Sequence, residues 1–124
     1  MNNTKNGLTM TEAHGLQIER QQCDTWGAND YVINVIDPET EIVVAKIDIE
    51  AQYRAVGWMA RYSLYLGWQH GGYWVFSLRA RHLCASPAEA EAAAIAALES
   101  VSAEEVQDIL LSHHGVRPSV TAGL

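Results

Sequence analysis

Residues 56–83, VGWMARYSLYLGWQHGGYWVFSLRARHL, decide the fold. In 56–66 the even positions Val56, Trp58, Ala60, Tyr62, Leu64 and Leu66 are nearly all apolar, and Met59, Arg61, Ser63 and Tyr65 hold odd ones. In 73–83 the even positions again supply apolar groups: Trp74, Phe76, Leu78 and Ala80. Successive side chains of a strand point to opposite faces, so this period of two marks half-buried strands. The glycine-rich stretch 67–72 closes the two runs into a hairpin. A symmetric loop sets Tyr65 opposite Tyr73, Arg61 opposite Ser77 and Met59 opposite Arg79, giving one apolar face and one face of arginine and tyrosine. The run AQYRAVGWMARYSLYL from Ala51 also permits helical spacing through Tyr53, Val56, Ala60 and Leu64. The alternation, the aromatic content and Gly57 favour the strand.

Upstream, residues 30–37 and 41–49 are rich in Val and Ile, and Asp37-Pro38-Glu39-Thr40 between them is turn chemistry. This second hairpin turns Tyr31, Ile33, Val35, Val43, Ala45 and Ile47 to the core and Asn34, Lys46 and Asp48 away from it. Residues 13–22 alternate weakly, with Leu16 and Ile18 inward, as an edge strand does. The loop 23–28 follows, its Trp26 expected over the core rim.

Downstream, Ser86-Pro87-Ala88-Glu89 starts a helix with a Ser cap, Pro at the first helical position and Glu three residues past the cap. It should run to about Val101. Ala90, Ala93, Ala94, Ala97, Leu98 and Val101 form its inward stripe, small enough to lie close on Trp58, Trp74 and Phe76. Ser102-Ala103-Glu104-Glu105 repeats the signal for a second helix with Val106, Ile109 and Leu110 inward, stopped by Gly115. The expected fold is α+β: a four- or five-stranded antiparallel meander with two C-terminal helices on one face. It occupies residues 12–115 as one domain, between a loose 1–11 and a loose tail 116–124.

Charge divides the chain. Between Glu50 and Glu89 there is no acid, while Arg54, Arg61, Arg79 and Arg81 and eight of the ten aromatics lie there; elsewhere four bases face fifteen carboxylates. The net charge of −7 argues against generic duplex binding, because counterion release rewards clustered Lys and Arg on a basic domain. Neither a secretory leader nor an apolar run approaching about 18 residues is present, so a cytoplasmic protein is expected. Cys23 and Cys84 stand alone and read as reduced structural thiols. His14, His70, His82, His113 and His114 do not fall at metal-ligand spacing, and no nucleophile elbow, phosphate loop or HExxH is present, so neither metal nor cofactor nor catalysis is expected.

The binding site expected from these patterns is the outward strip of Arg61, Tyr65, Tyr73, Arg79 and Arg81, ending at Trp68 in the hairpin loop. Arginine offers a planar donor fork and tyrosine a flat surface of low conformational entropy, the pairing a sheet uses to hold a partner. The competing reading pairs these arginines with carboxylates of neighbouring elements. Six carboxylates between Glu89 and Asp108 read as solvated helix faces. The alanine-rich stretch SPAEAEAAAIAALE, residues 86–99, resembles in composition small accessory proteins of bacteria and their phages or mobile elements. The expected function is a small acidic non-enzymatic protein-binding module. It would be an accessory or inhibitor protein acting on a larger macromolecular machine, or one self-associating through its open sheet face. The alternative is binding of single-stranded nucleic acid or a small anionic ligand through the same Arg/Tyr face.

Overall fold

The computed structural model describes residues 3–5, 8–10, 14–22, 30–55 and 57–113. Among these residues seven strands form one antiparallel sheet in which each pairs with its neighbours in sequence: β1 Asn3–Lys5, β2 Leu8–Met10, β3 Gln17–Gln22, β4 Tyr31–Ile36, β5 Val43–Arg54, β6 Gly57–His70 and β7 Tyr73–Cys84. Two helices follow, α1 Pro87–Glu99 over β5, β6 and β7, and α2 Ala103–Ser112 over β5 and β6. The α+β meander read from the sequence is present, with β3 to β7 as its five strands. The three-residue strands β1 and β2 extend it within the stretch expected to be loose. β3, expected at the edge, pairs with β4 along its length and with β2 over two residues. Expectations for Cys23, Trp26, Val56, His114, Gly115 and the tail lie outside the described residues.

Alternation builds the core. Ile33 and Val35 of β4, Ala45, Ile47 and Ile49 of β5, and Ala60, Tyr62, Leu64 and Leu66 of β6 are buried, meeting Ala90, Ala94, Leu98, Val101, Val106 and Ile109 of the helical segment. Residues 51–54 continue β5 and pair with 57–60, which settles the strand reading over the helical one. Between β4 and β5, Asp37 N–H donates to Ile42 O at 2.9 Å and Glu41, at φ +62°, donates to Asp37 O at 2.7 Å. Asp37 Oδ2 in turn accepts the Thr40 amide at 3.0 Å, the bond that turn aspartates make. The bulge beyond this turn sets Ile36 opposite Val43, so that Val44 is buried and Val43 only half-buried.

Both helix starts are as read: Ser86 Oγ accepts the Glu89 amide at 3.2 Å and Ser102 Oγ the Glu105 amide at 3.0 Å. Each satisfies an N–H that a helix end leaves without a partner. The first helix closes at Glu99, two residues earlier than expected.

Two core assignments are corrected. Trp58 is 61% exposed, because the helical layer is too short to reach it: 13 and 10 helical residues span roughly 20 and 15 Å, whereas the 14 residues of β6 run roughly 46 Å. Leu78 is 51% exposed, because a bulge between β6 and β7 leaves Arg79 unpaired and sets Leu78 opposite Tyr65, out of line with Ala80; Trp74 is buried as expected.

Candidate functional site

The β6–β7 hairpin turns at Gly71-Gly72 alone. Both residues have positive φ, +57° and +84°, the backbone a two-residue type I′ turn demands, and a pair of glycines adopts it without steric cost. His70 therefore pairs with Tyr73, and Trp68, Gln69 and His70 belong to β6 and not to a loop. The expected register is corrected throughout. Tyr65 faces Leu78, not Tyr73; Arg61 faces Leu83, not Ser77; Met59 faces Gln52 of β5 and not Arg79.

This register breaks up the Arg/Tyr strip. Arg61, Tyr65 and Arg81 do converge on the face away from the helices, where with Asp48, Glu50 and Ser63 they line a cavity of about 250 Å³. Arg61 Nη2 donates to Glu50 Oε1 at 2.5 Å, while its Nε is buried without a hydrogen-bond partner. Arg81 donates from Nε to Ser63 Oγ at 2.8 Å and from Nη2 to Tyr65 OH at 3.2 Å. Burial, the largest cause, raises the Asp48 carboxyl above its usual range; Lys46 and Arg81 oppose the shift and Glu50 adds to it. Beside this cavity Lys46 Nζ lies 4.9 Å from the centre of the Phe76 ring. The cavity thus sets two arginines against two carboxylates, with Lys46 as a further cation beside it.

Arg79 leaves the strip altogether. As the unpaired residue of the bulge it reaches α2, where its two terminal nitrogens donate to Glu105 at 2.6 and 3.0 Å and hold the guanidinium pKa above its ordinary value. Glu91 on α1 is committed in the same way to the far strands, with Arg20 Nε 3.1 Å from both carboxylate oxygens and Tyr31 OH donating at 2.7 Å. The Arg20 bond, the largest cause, holds the Glu91 carboxyl below its ordinary range; burial works against it and Tyr31 reinforces it. Two of the six helical carboxylates are therefore struts between layers. Among the described residues no three His, Cys, Asp or Glu side chains gather as a metal set.

Trp68 and Tyr73 lie on the other side of the hairpin. Trp68 pairs with Val75 and His70 with Tyr73, in the row that continues from Leu66. Beside α2 this row encloses a cleft of about 300 Å³ lined by Leu66, Trp68, Val75, Leu78 and Ile109, with the Arg79–Glu105 pair at its rim. Trp68, Tyr73, Val75 and Leu78 are 46%, 49%, 37% and 51% exposed. The hairpin is stiffened from within by Trp74, which is 4% exposed, lies against Gly67 and donates from Nε1 to Val43 O at 3.1 Å. The His113 ring stands edge-on to it, 4.9 Å between centroids.

At the opposite end of β6, Trp58 packs edge-on against Tyr53, 5.4 Å between centroids, with both exposed. Alternation misses this pair because it assigns a face and not the extent of the layer covering that face. It also misses Val75, Leu78 and Ile109 as cleft residues. The signal that would have found them is the Gly71-Gly72 dipeptide, which fixes the turn and hence the register.

No known family model, curated protein or solved structure matches this chain. Among the described residues no helix is long and apolar enough to cross a membrane.

Proposed function

We propose that the protein is a non-enzymatic protein-binding module that takes an apolar side chain of a partner protein into the cleft between the β6–β7 hairpin and α2. The observation that carries this reading is the gathering of Trp68, Val75 and Leu78, each more than a third exposed, around a concave apolar floor, with Tyr73 exposed in the row beside them. Aromatic anchors at the centre of a patch, with a charged rim beside them, are the anatomy of a protein interface. The Arg79–Glu105 pair stands where such a rim belongs.

The anion-binding alternative has less support. It draws on a cationic surplus, and Arg61 and Arg79 are each matched by a carboxylate. Arg81 shares its cavity with Asp48 and Glu50. The test is capture by immobilised protein from a lysate of its source cells, compared with Trp68→Ala. Loss of an anchor tryptophan costs at least about 2 kcal/mol, so a specifically retained protein should bind about 30-fold more weakly. Equal retention by the wild type and the variant would overturn the proposal.

A further inference from the structure

β7 is the last strand of the sheet and is 12 residues long, and no described strand lies along its outer side. Its main-chain N–H and C=O groups on that side form an open ladder, which natural proteins usually blunt with charge, proline or a bulge. Here the blunting begins only at Arg79. The six residues before it, YWVFSL at 73–78, carry no charge, no proline and no glycine, and they pair with β6 in unbroken register. Of the exposed large apolar side chains on β7, Tyr73, Val75 and Leu78 lie in this half. Tyr73 and Val75 share one face of the hairpin, and Phe76 lies on the other beside Lys46, so both faces of the edge are apolar.

An open ladder flanked by apolar side chains on both faces fits another extended strand and not a helix or a small molecule. We propose that this strand is residues 73–78 of a second copy of the chain, paired antiparallel across a two-fold axis so that the sheet continues from one protomer to the other. Three observations select a second copy. Antiparallel self-pairing about Val75 or Phe76 sets only uncharged residues opposite one another through the centre of the interface, namely Trp74, Val75, Phe76 and Ser77. Self-pairing about Arg79 or Ala80 would instead juxtapose arginines, and β7 holds no acid to offset them. The guanidinium of Arg79 is drawn off the edge by Glu105, so it does not guard the neighbouring half-strand. The other end of the sheet is the three-residue strand β1, which offers too short a ladder for head-to-tail addition, so the association closes as a two-fold dimer and does not run on as a fibre.

This inference deepens the protein-binding reading by naming a partner for the hairpin, while the Trp68 cleft remains available to another protein. The test is molar mass in solution by light scattering. The wild type should give about twice the 13.7 kDa of the chain and dissociate on dilution. Val75→Lys should give the single-chain mass with an unchanged far-ultraviolet spectrum, and Trp68→Ala should keep the doubled mass. In a chain carrying Cys23→Ser and Cys84→Ser, Val75→Cys should form a disulfide-linked dimer under mild oxidation. A wild type that is monomeric at every concentration overturns the inference without touching the cleft. So does a dimer that survives Val75→Lys and fails to cross-link through Val75→Cys.

Discussion

Gly67→Ala tests whether Trp74 locks the long hairpin to the rest of the sheet. A Cβ on Gly67 would stand 2.5, 2.7 and 2.8 Å from three atoms of the Trp74 indole, closer than real carbon contacts allow. The indole is not the loose end of a flexible chain: it is 4% exposed and is held by its N–H bond to Val43 O at 3.1 Å. Accommodating the methyl displaces the ring, and overpacking of this kind costs about 1–3 kcal/mol. Losing the indole bond adds about 1 kcal/mol, since Val43 O then has to find another donor. The sum is about 2–4 kcal/mol. At a urea slope of about 1.5 kcal/mol per molar it lowers the unfolding midpoint by about 1.3–2.7 M. Far-ultraviolet circular dichroism is the suitable probe, because the four tryptophans of the chain give a composite fluorescence. The same substitution on a Trp74→Phe background, where the ring is smaller and lacks the N–H, should cost about 1–2 kcal/mol less. A Gly67→Ala midpoint within 0.3 M of the wild type, or an equal cost in both backgrounds, would refute the lock.

Two carboxylates should respond to pH with opposite signs. Glu91 titrates below its ordinary 4.5 in the folded protein, so its stabilising effect is complete above that value and disappears as pH falls through the lowered one. Glu91→Gln should therefore cost about 1 kcal/mol at pH 7, discounted because the Arg20 side chain is 47% exposed. Urea midpoints of variant and wild type should converge as pH falls through the lowered value; a gap that stays constant to the acid limit of the folded state would contradict the assignment. Asp48 titrates above its ordinary 3.8, so the folded state is disfavoured as pH rises through the interval between the two values. Asp48→Asn should raise the midpoint at pH 7 and lose that advantage below pH 3.8, and an unchanged midpoint at pH 7 would count against burial as the dominant influence.

Strands β3 to β7 and both helices were legible because each rests on local chemistry. Ser86-Pro87 and Ser102 specify helix starts through one hydroxyl apiece, and alternation in 56–66 distinguishes Ala60, Leu64 and Leu66 from Met59, Arg61 and Ser63 without reference to anything distant. The register of the long hairpin was less accessible, because a six-residue glycine-rich stretch permits several turns and only Gly71 and Gly72 adopt positive φ in it. The bulge at Arg79 was not legible at all. It depends on the reach of an arginine to Glu105, 26 residues along the chain, a contact that exists only once α2 is docked. With that bulge went the facing of Tyr73 and Leu78, and so the strip that joined Arg79 and Tyr73 to Tyr65. Trp58 was misplaced for a different reason: periodicity reports which way a side chain points and says nothing of where the opposing layer stops.

The meander order has a consequence for how the chain is made. Each strand meets the one just completed, so the ribosome delivers every pairing partner in turn and the sheet can grow with few distant contacts to wait for. Its lid comes last. Until Ala90, Leu98, Val106 and Ile109 emerge, the row of Ala60, Tyr62, Leu64 and Leu66 has nothing above it but water, and a nascent chain stalled before Pro87 would carry a complete sheet with its greasiest surface bare. That interval is when this protein is most exposed to aggregation or capture by a chaperone.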